Sequence, residues 1–195
     1  MDHGLQHRKK LAAMHRIQSA ALDLFEEQGF DEVAIEAVAA AAEVSPRTVY
    51  RYFGSKEMLV IWDDEDELDP GALNAEFGGD DPIAALREAL RAGFAALGED
   101  DLLLIRRRVT LIYRYPAIEA AMILHGYEKS RAIAAAVGGE DAFEVQVFVH
   151  AFVGGVLAAM RDWCAAGFST PPFELVDRAL TLLEHGFTRK RATPS

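Results

Sequence analysis

Apolar positions recur every three or four residues along most of the chain, the period of an α-helix with one buried face. Over residues 8–28, Leu11, Met14, Ile17, Ala21, Leu24 and Phe25 fall on one side, and Gly29 ends the run. Residues 35–42 predict a short, alanine-rich helix. Ser45 followed by Pro46 predicts an N-cap and a first helical residue for another short helix, reaching about Tyr52. Gly54-Ser55 breaks that helix, and Ser55 is placed to cap a fourth, expected over about 56–68. Residues 69–81 (DPGALNAEFGGDD) are turn-rich and read as a linker. Five further helices are expected over about 82–97, 101–114, 116–137, 140–166 and 172–189, with Pro82 and Pro116 in first turns and a frayed tail at 190–195. No alternating β-branched run of strand length appears. The expected class is all-α, with about nine helices.

Composition agrees with a folded chain. Of its 195 residues, 51% are hydrophobic and 26% charged, which excludes a disordered tail or a fibrous repeat. The single cysteine, Cys164, cannot form an internal disulfide. The N-terminal run MDHGLQHRKK lacks the apolar core of a signal peptide. The longest apolar stretch, residues 147–160, is interrupted by His150 and falls short of the roughly 18 residues of a membrane span. These features give the expectation of a cytoplasmic protein with no membrane association.

The formal net charge of −11 argues at first against nucleic acid, because DNA-binding domains carry a basic footprint. Its distribution changes that view. Residues 61–100 hold 12 acidic against 2 basic side chains, whereas residues 1–60 hold 9 against 7. Within those sixty, bases cluster at Arg8-Lys9-Lys10 and at Arg47, Arg51 and Lys56. A local basic surface on an acidic protein is therefore available. The acid run 63–67 reads as a solvated face, since neighbouring residues on a helix splay apart and cannot all reach one cation. No metal site, cofactor or catalytic residue is expected. The chain has no phosphate-binding glycine loop with lysine, no His-Glu-x-x-His and no Gly-x-Ser-x-Gly elbow.

The informative segment is GFDEVAIEAVAAAAEVSPRTVYRYFGSKEML, residues 29–59. It reads as a helix, a tight turn and a second short helix. A helix-turn-helix needs its second helix to pack one face on the domain and to present donors on the other. Val49 and Phe53 lie four apart on one side; Arg47, Tyr50 and Arg51 lie on the other, with Thr48 beside them. Ser45 and the first-turn amides suit a phosphate. Tyr52 and Lys56, expected beyond the helix, suit further phosphates. The alternative is a small bundle whose Tyr and Arg residues only cap a core.

The run VSPRTVYRYFGSKEML resembles the end of the helix-turn-helix of the tetracycline-repressor (TetR) family. Val44, Ser45, Thr48, Tyr50, Tyr52, Phe53 and Lys56 match in place, and Gly29-Phe30 matches the end of the family's first helix. The resemblance covers about residues 8–60. Two positions depart from it. The threonine pair that opens the family's second helix is Val33-Ala34 here, leaving Asp31 or Glu32 as possible caps. The turn glycine is Glu43, which is strained if that position needs a left-handed backbone.

The resemblance implies a helix-turn-helix domain at 8–56 (motif 34–53) and a helical effector-binding and dimerisation domain at 57–189. It implies a homodimeric, ligand-responsive repressor on a palindromic operator in double-stranded DNA. Arg47 and Tyr50 would face bases, Thr48 base or phosphate, Tyr52 and Lys56 phosphate, and Arg8–Lys10 the backbone or minor groove. Effector binding would move the fourth helix.

In the later part, residues 140–166 are apolar nearly all round and should be buried on more than one side. Phe173, Val176, Leu180, Leu183 and Phe187 form a seam, and Gly154-Gly155 would allow close helix approach. A four-helix dimer interface is expected from these two helices, against a monomeric core. In residues 101–114, Leu102, Ile105, Val109, Ile112 and Tyr113 form an inner stripe; Arg106 flanks it and Arg107 points away. Arg106, Tyr113, Met122 and His125 are the candidate effector residues. The stretch from about 85 to 163 resembles relatives of the mycofactocin-regulator type, which implies an acyl-CoA-like effector. A helical small-molecule-binding protein or enzyme without DNA contact is the alternative.

Overall fold

The computed structural model describes residues 2–63, 81–137 and 142–186. Every regular element among them is an α-helix: α1 (Asp2–Gln28), α2 (Ile35–Ala41), α3 (Pro46–Phe53), α4 (Met58–Ile61), α5 (Pro82–Ala96), α6 (Glu99–Arg114), α7 (Pro116–Val137), α8 (Ala142–Ala165) and α9 (Pro172–His185). Asp64–Glu67 and Phe187 lie outside the described residues.

The helices fall into two compact units. The first takes residues up to 63 together with Leu103–Leu124, so the end of α6 and the start of α7 belong with the N-terminal helices. Its core is Met14, Ile17, Ala21, Leu22 and Phe25 of α1, Val38 and Ala39 of α2, Val49 and Phe53 of α3, Leu59–Trp62, and Leu111, Ile112 and Ile118. Arg107 of α6 does not point away, as the sequence suggests. It donates to Asp23 at 2.6 Å and to both carboxylate oxygens of Glu26 at 2.8 Å. The hydrogen bond to Glu26, then that to Asp23, holds its guanidinium pKa above the ordinary value despite partial burial. Leu111, outside the predicted stripe, is also buried, because α6 is covered on two sides at that level.

α4 is shorter than its pattern suggests. It starts two residues later, where Ser55 Oγ accepts from the Met58 amide at 3.4 Å, and stops at Ile61. Trp62 follows in extended backbone at φ −53°, ψ 139°. Its indole packs edge-on against His15 of α1 and Phe53 of α3, at ring-centroid distances of 5.3 and 5.8 Å.

The second unit pairs α8 with α9 and lays α5 across α9. Arg87 donates to Asp177 at 2.7 Å and Glu184 at 3.0 Å, and these bonds raise its pKa, Asp177 most. Gly155 does allow close approach: a Cβ there would stand 3.3 Å from the Ala179 methyl, whereas Gly154 has nothing within 4 Å. Trp163 is fully buried, with its N–H donated to the Thr170 carbonyl at 2.7 Å. The expectation for α8 holds in part. The helix is met on two sides, by α9 at Gly155 and by α7, whose Gly126 faces Val153 and Leu157 and whose Tyr127 ring lies 5.2 Å from His150, while Phe143 and Val147 on a third flank stand 73% and 54% exposed. Over Phe143–Ala165 the helix is also long and apolar enough, by length and composition alone, to cross a membrane; the 147–160 stretch understated its extent.

Candidate nucleic-acid interface

The second short helix forms because its first residues fix its start. Ser45 sits in extended backbone (φ −81°, ψ 151°), its Oγ accepts from the Thr48 amide at 3.2 Å, and Pro46 supplies a helical φ at the first position. Ser45 Oγ also shares a 2.9 Å hydrogen bond with Thr48 Oγ1, so the cap and the adjacent hydroxyl hold each other. Val49 and Phe53 are buried. With those two turned inward, Arg47, Tyr50 and Arg51 are exposed on the other side. Tyr50 is 52% exposed, unusual for an aromatic ring unless it meets a partner.

The turn before this helix explains the strain raised by Glu43. Val44 N–H reaches the Ala39 carbonyl at 2.9 Å and Glu43 N–H reaches Ala40 at 3.2 Å, the two bonds of a Schellman cap. That cap places Glu43 in the left-handed region, at φ +56°. The position does require a left-handed backbone, and a glutamate holds it. At the other end of α2 the N-cap is Ala34, with no side-chain hydrogen bond, so neither Asp31 nor Glu32 caps the helix.

Tyr52 lies inside α3, not beyond it. Its ring packs partly buried on the core, its hydroxyl accepts from Arg51 at 3.2 Å, and the Arg51 guanidinium lies 4.8 Å above the ring centroid. Lys56 follows the helix. Its ammonium donates to the Phe30 carbonyl and stands 4.4 Å from the centre of the Phe30 ring. Tyr115, which sequence reasoning missed, accepts the Phe30 amide through its hydroxyl at 3.2 Å. Both polar groups of Phe30 are thus held by side chains distant in sequence, which fixes the turn between α1 and α2. At the N-terminus, Arg8 and Lys9 are exposed and Lys10 is half-buried on a helical α1. The reader therefore presents Arg47, Tyr50 and Arg51 with Thr48 at their edge, while Ser45, Tyr52 and Lys56 also hold the element in place.

Tyr113 and Met122 pack partly buried on the core of the first unit, Arg106 is exposed on α6, and His125 is half-buried in the second unit. An apolar groove in the second unit is lined by Phe143, Glu144, Val147, Phe148, Ala151 and Leu183.

A helix-turn-helix reader followed in the same chain by a further helical unit defines the class of DNA-binding transcriptional regulators. The family follows from comparison. Residues 17–61 match the model of bacterial regulatory proteins of the tetR family, and residues 80–188 match the MftR C-terminal domain. The chain belongs to the TetR family. It is 30% identical over 173 residues to the HTH-type transcriptional regulator TcmR of Streptomyces glaucescens, covering 82% of this chain and 76% of that one. It is 28% identical over 164 residues to MftR of Mycobacterium tuberculosis, a protein named for regulation of mycofactocin biosynthesis, covering 80% and 82%. In fold it is similar to NalD, a repressor of a multidrug efflux pump in Pseudomonas aeruginosa, with a TM-score of 0.56, 20% identity, and 94% and 100% of the two chains covered. The protein is a DNA-binding transcriptional regulator and not an enzyme.

Proposed function

We propose that the protein is a cytoplasmic homodimeric repressor, with a reader at 8–56 and an effector and dimerisation domain at 57–189. Each subunit lays α3 into a major groove of a palindromic operator. The observation that carries this is the face of α3: Arg47 and Tyr50 exposed, opposite a buried Val49–Phe53 stripe. Arg47 and Tyr50 read bases, Thr48 and Arg51 flank them, and Ser45, Tyr52 and Lys56 meet phosphates. The dimer reading is supported by apolar surface on α8 and α9: Phe143, Val147, Leu182 and Leu183 are all exposed, and four of the groove's lining residues are apolar on α8. A second copy packing α8 and α9 against their mates would cover it. An acyl-CoA-like effector is the class supported by the likeness to the MftR C-terminal domain.

The test is binding of the promoter beside the protein's own reading frame, by fluorescence anisotropy. Wild type is expected to bind and to release on addition of a long-chain acyl-CoA. Tyr50→Ala is expected to lose specific affinity by about tenfold or more. Val147→Arg is expected to elute as a monomer and bind weakly. Retained specific binding by Tyr50→Ala removes α3 as the reader; a dimeric Val147→Arg removes the α8–α9 interface.

A further inference from the structure

α4 has only four residues, and no helix continues beyond its last carbonyls to supply amides for them to accept from. Three consecutive carbonyls at its end are nevertheless each taken by a side chain from another helix. Arg108 of α6 donates Nε to Val60 at 2.8 Å and Nη2 to Ile61 at 2.5 Å. Gln18 of α1 donates Nε2 to Trp62 at 2.8 Å. The remaining guanidinium nitrogen, Nη1, pairs with Asp63 at 2.5 Å. The Arg108 side chain is 12% exposed and Gln18 is 2% exposed. Burying such groups is costly unless their donors are used, and here each of the three guanidinium nitrogens donates a hydrogen bond.

The clamp sits one step from the reader. Trp62, whose carbonyl Gln18 holds, packs its ring on Phe53, the last residue of α3. All of these residues belong to the first compact unit. We propose that Arg108 and Gln18 are positioning residues for DNA reading. By fixing where α4 stops and where Trp62 lies, they set the position of the C-terminal end of α3. Arg108 acts without touching DNA, since each of its three nitrogens already has a partner within the protein. This rests on the reading of α3 as the groove-entering helix.

The full-length protein carrying Arg108→Lys, or Gln18→Met, tests it. Lysine keeps the charge but cannot span two carbonyls and a carboxylate; methionine keeps the bulk of Gln18 and removes its donor. Affinity is measured by anisotropy for the promoter duplex and for a random duplex of equal length, across a salt series. The expected result is a tenfold or greater loss on the promoter, a change within twofold on the random duplex, and an unchanged slope of log affinity against log salt. Equal losses on both duplexes, or a slope reduced by about one, would make Arg108 a phosphate contact and overturn the proposal. So would unchanged promoter affinity in a variant with wild-type circular dichroism. Should Arg108→Lys not fold, Gln18→Met decides by the same criteria. If wild type fails to prefer the promoter, the DNA reading itself falls; if wild type prefers it and both folded variants do too, only the clamp falls.

Discussion

Glu43→Gly isolates a strain that the fold imposes on its own reader. Glu43 holds φ +56° because the cap ending α2 needs a left-handed residue between Ala42 and Val44. A side chain with a Cβ costs about 1–2 kcal/mol in that region. Glycine removes this cost but surrenders about 0.5–1 kcal/mol of chain entropy. The net expectation is a gain of about 0.5–1 kcal/mol, which for a chain of this size raises the melting temperature by about 1–4 °C. Glutamate also places a negative charge in the turn leading into α3, so its removal should tighten DNA binding, most at low salt. Glu43→Ala separates the two effects, because it removes the charge and keeps the strain. Thermal melting followed by circular dichroism, with anisotropy at two salt concentrations, reads both. Both variants should bind DNA more tightly than wild type, but only the glycine variant should melt higher. A glycine variant that melts no higher than the alanine variant would refute the strain argument.

Two further outcomes follow from the packing. Lys56→Ala loses a charge-assisted hydrogen bond to the Phe30 carbonyl, so unfolding free energy should fall by about 1.5–3 kcal/mol in urea melts. The same variant should lower the salt slope of DNA binding by about one, and an unchanged slope would remove Lys56 from the phosphate contacts. Gly155→Leu forces atoms into a space that ends 3.3 Å away at Ala179, and should cost about 1–3 kcal/mol, whereas Gly154→Ala should cost nothing in a thermal melt.

How much of this was legible in the sequence depends on whether a feature is local. The start of α3 was, because Ser45 and Pro46 act on their immediate neighbours, and the face of α3 follows from helical spacing. The glycine-like demand at position 43 was legible as a question; its answer needed the backbone. The end of α4 was not legible. The apolar pattern runs on from Met58 to Trp62, and what stops the helix lies in Gln18 and Arg108, more than forty residues away on either side. For the same reason Arg107 was misplaced: its partners, Asp23 and Glu26, are exposed acids on a different helix that no periodicity connects to it. The all-round apolarity of α8 correctly implies more than one covered side, met by α7 and α9, but a sequence does not record which flank lacks a neighbour, and that is where Phe143 and Val147 stand exposed.

Hydroxyl-radical footprinting of the promoter beside the protein's own reading frame tests the central claim most directly. Two α3 helices related by a two-fold axis should protect two patches on one face of the duplex, centred about 10–10.5 base pairs apart or a multiple of that, and Tyr50→Ala should erase both together. A single continuous protected stretch without two-fold symmetry, or a footprint that survives Tyr50→Ala, would contradict it.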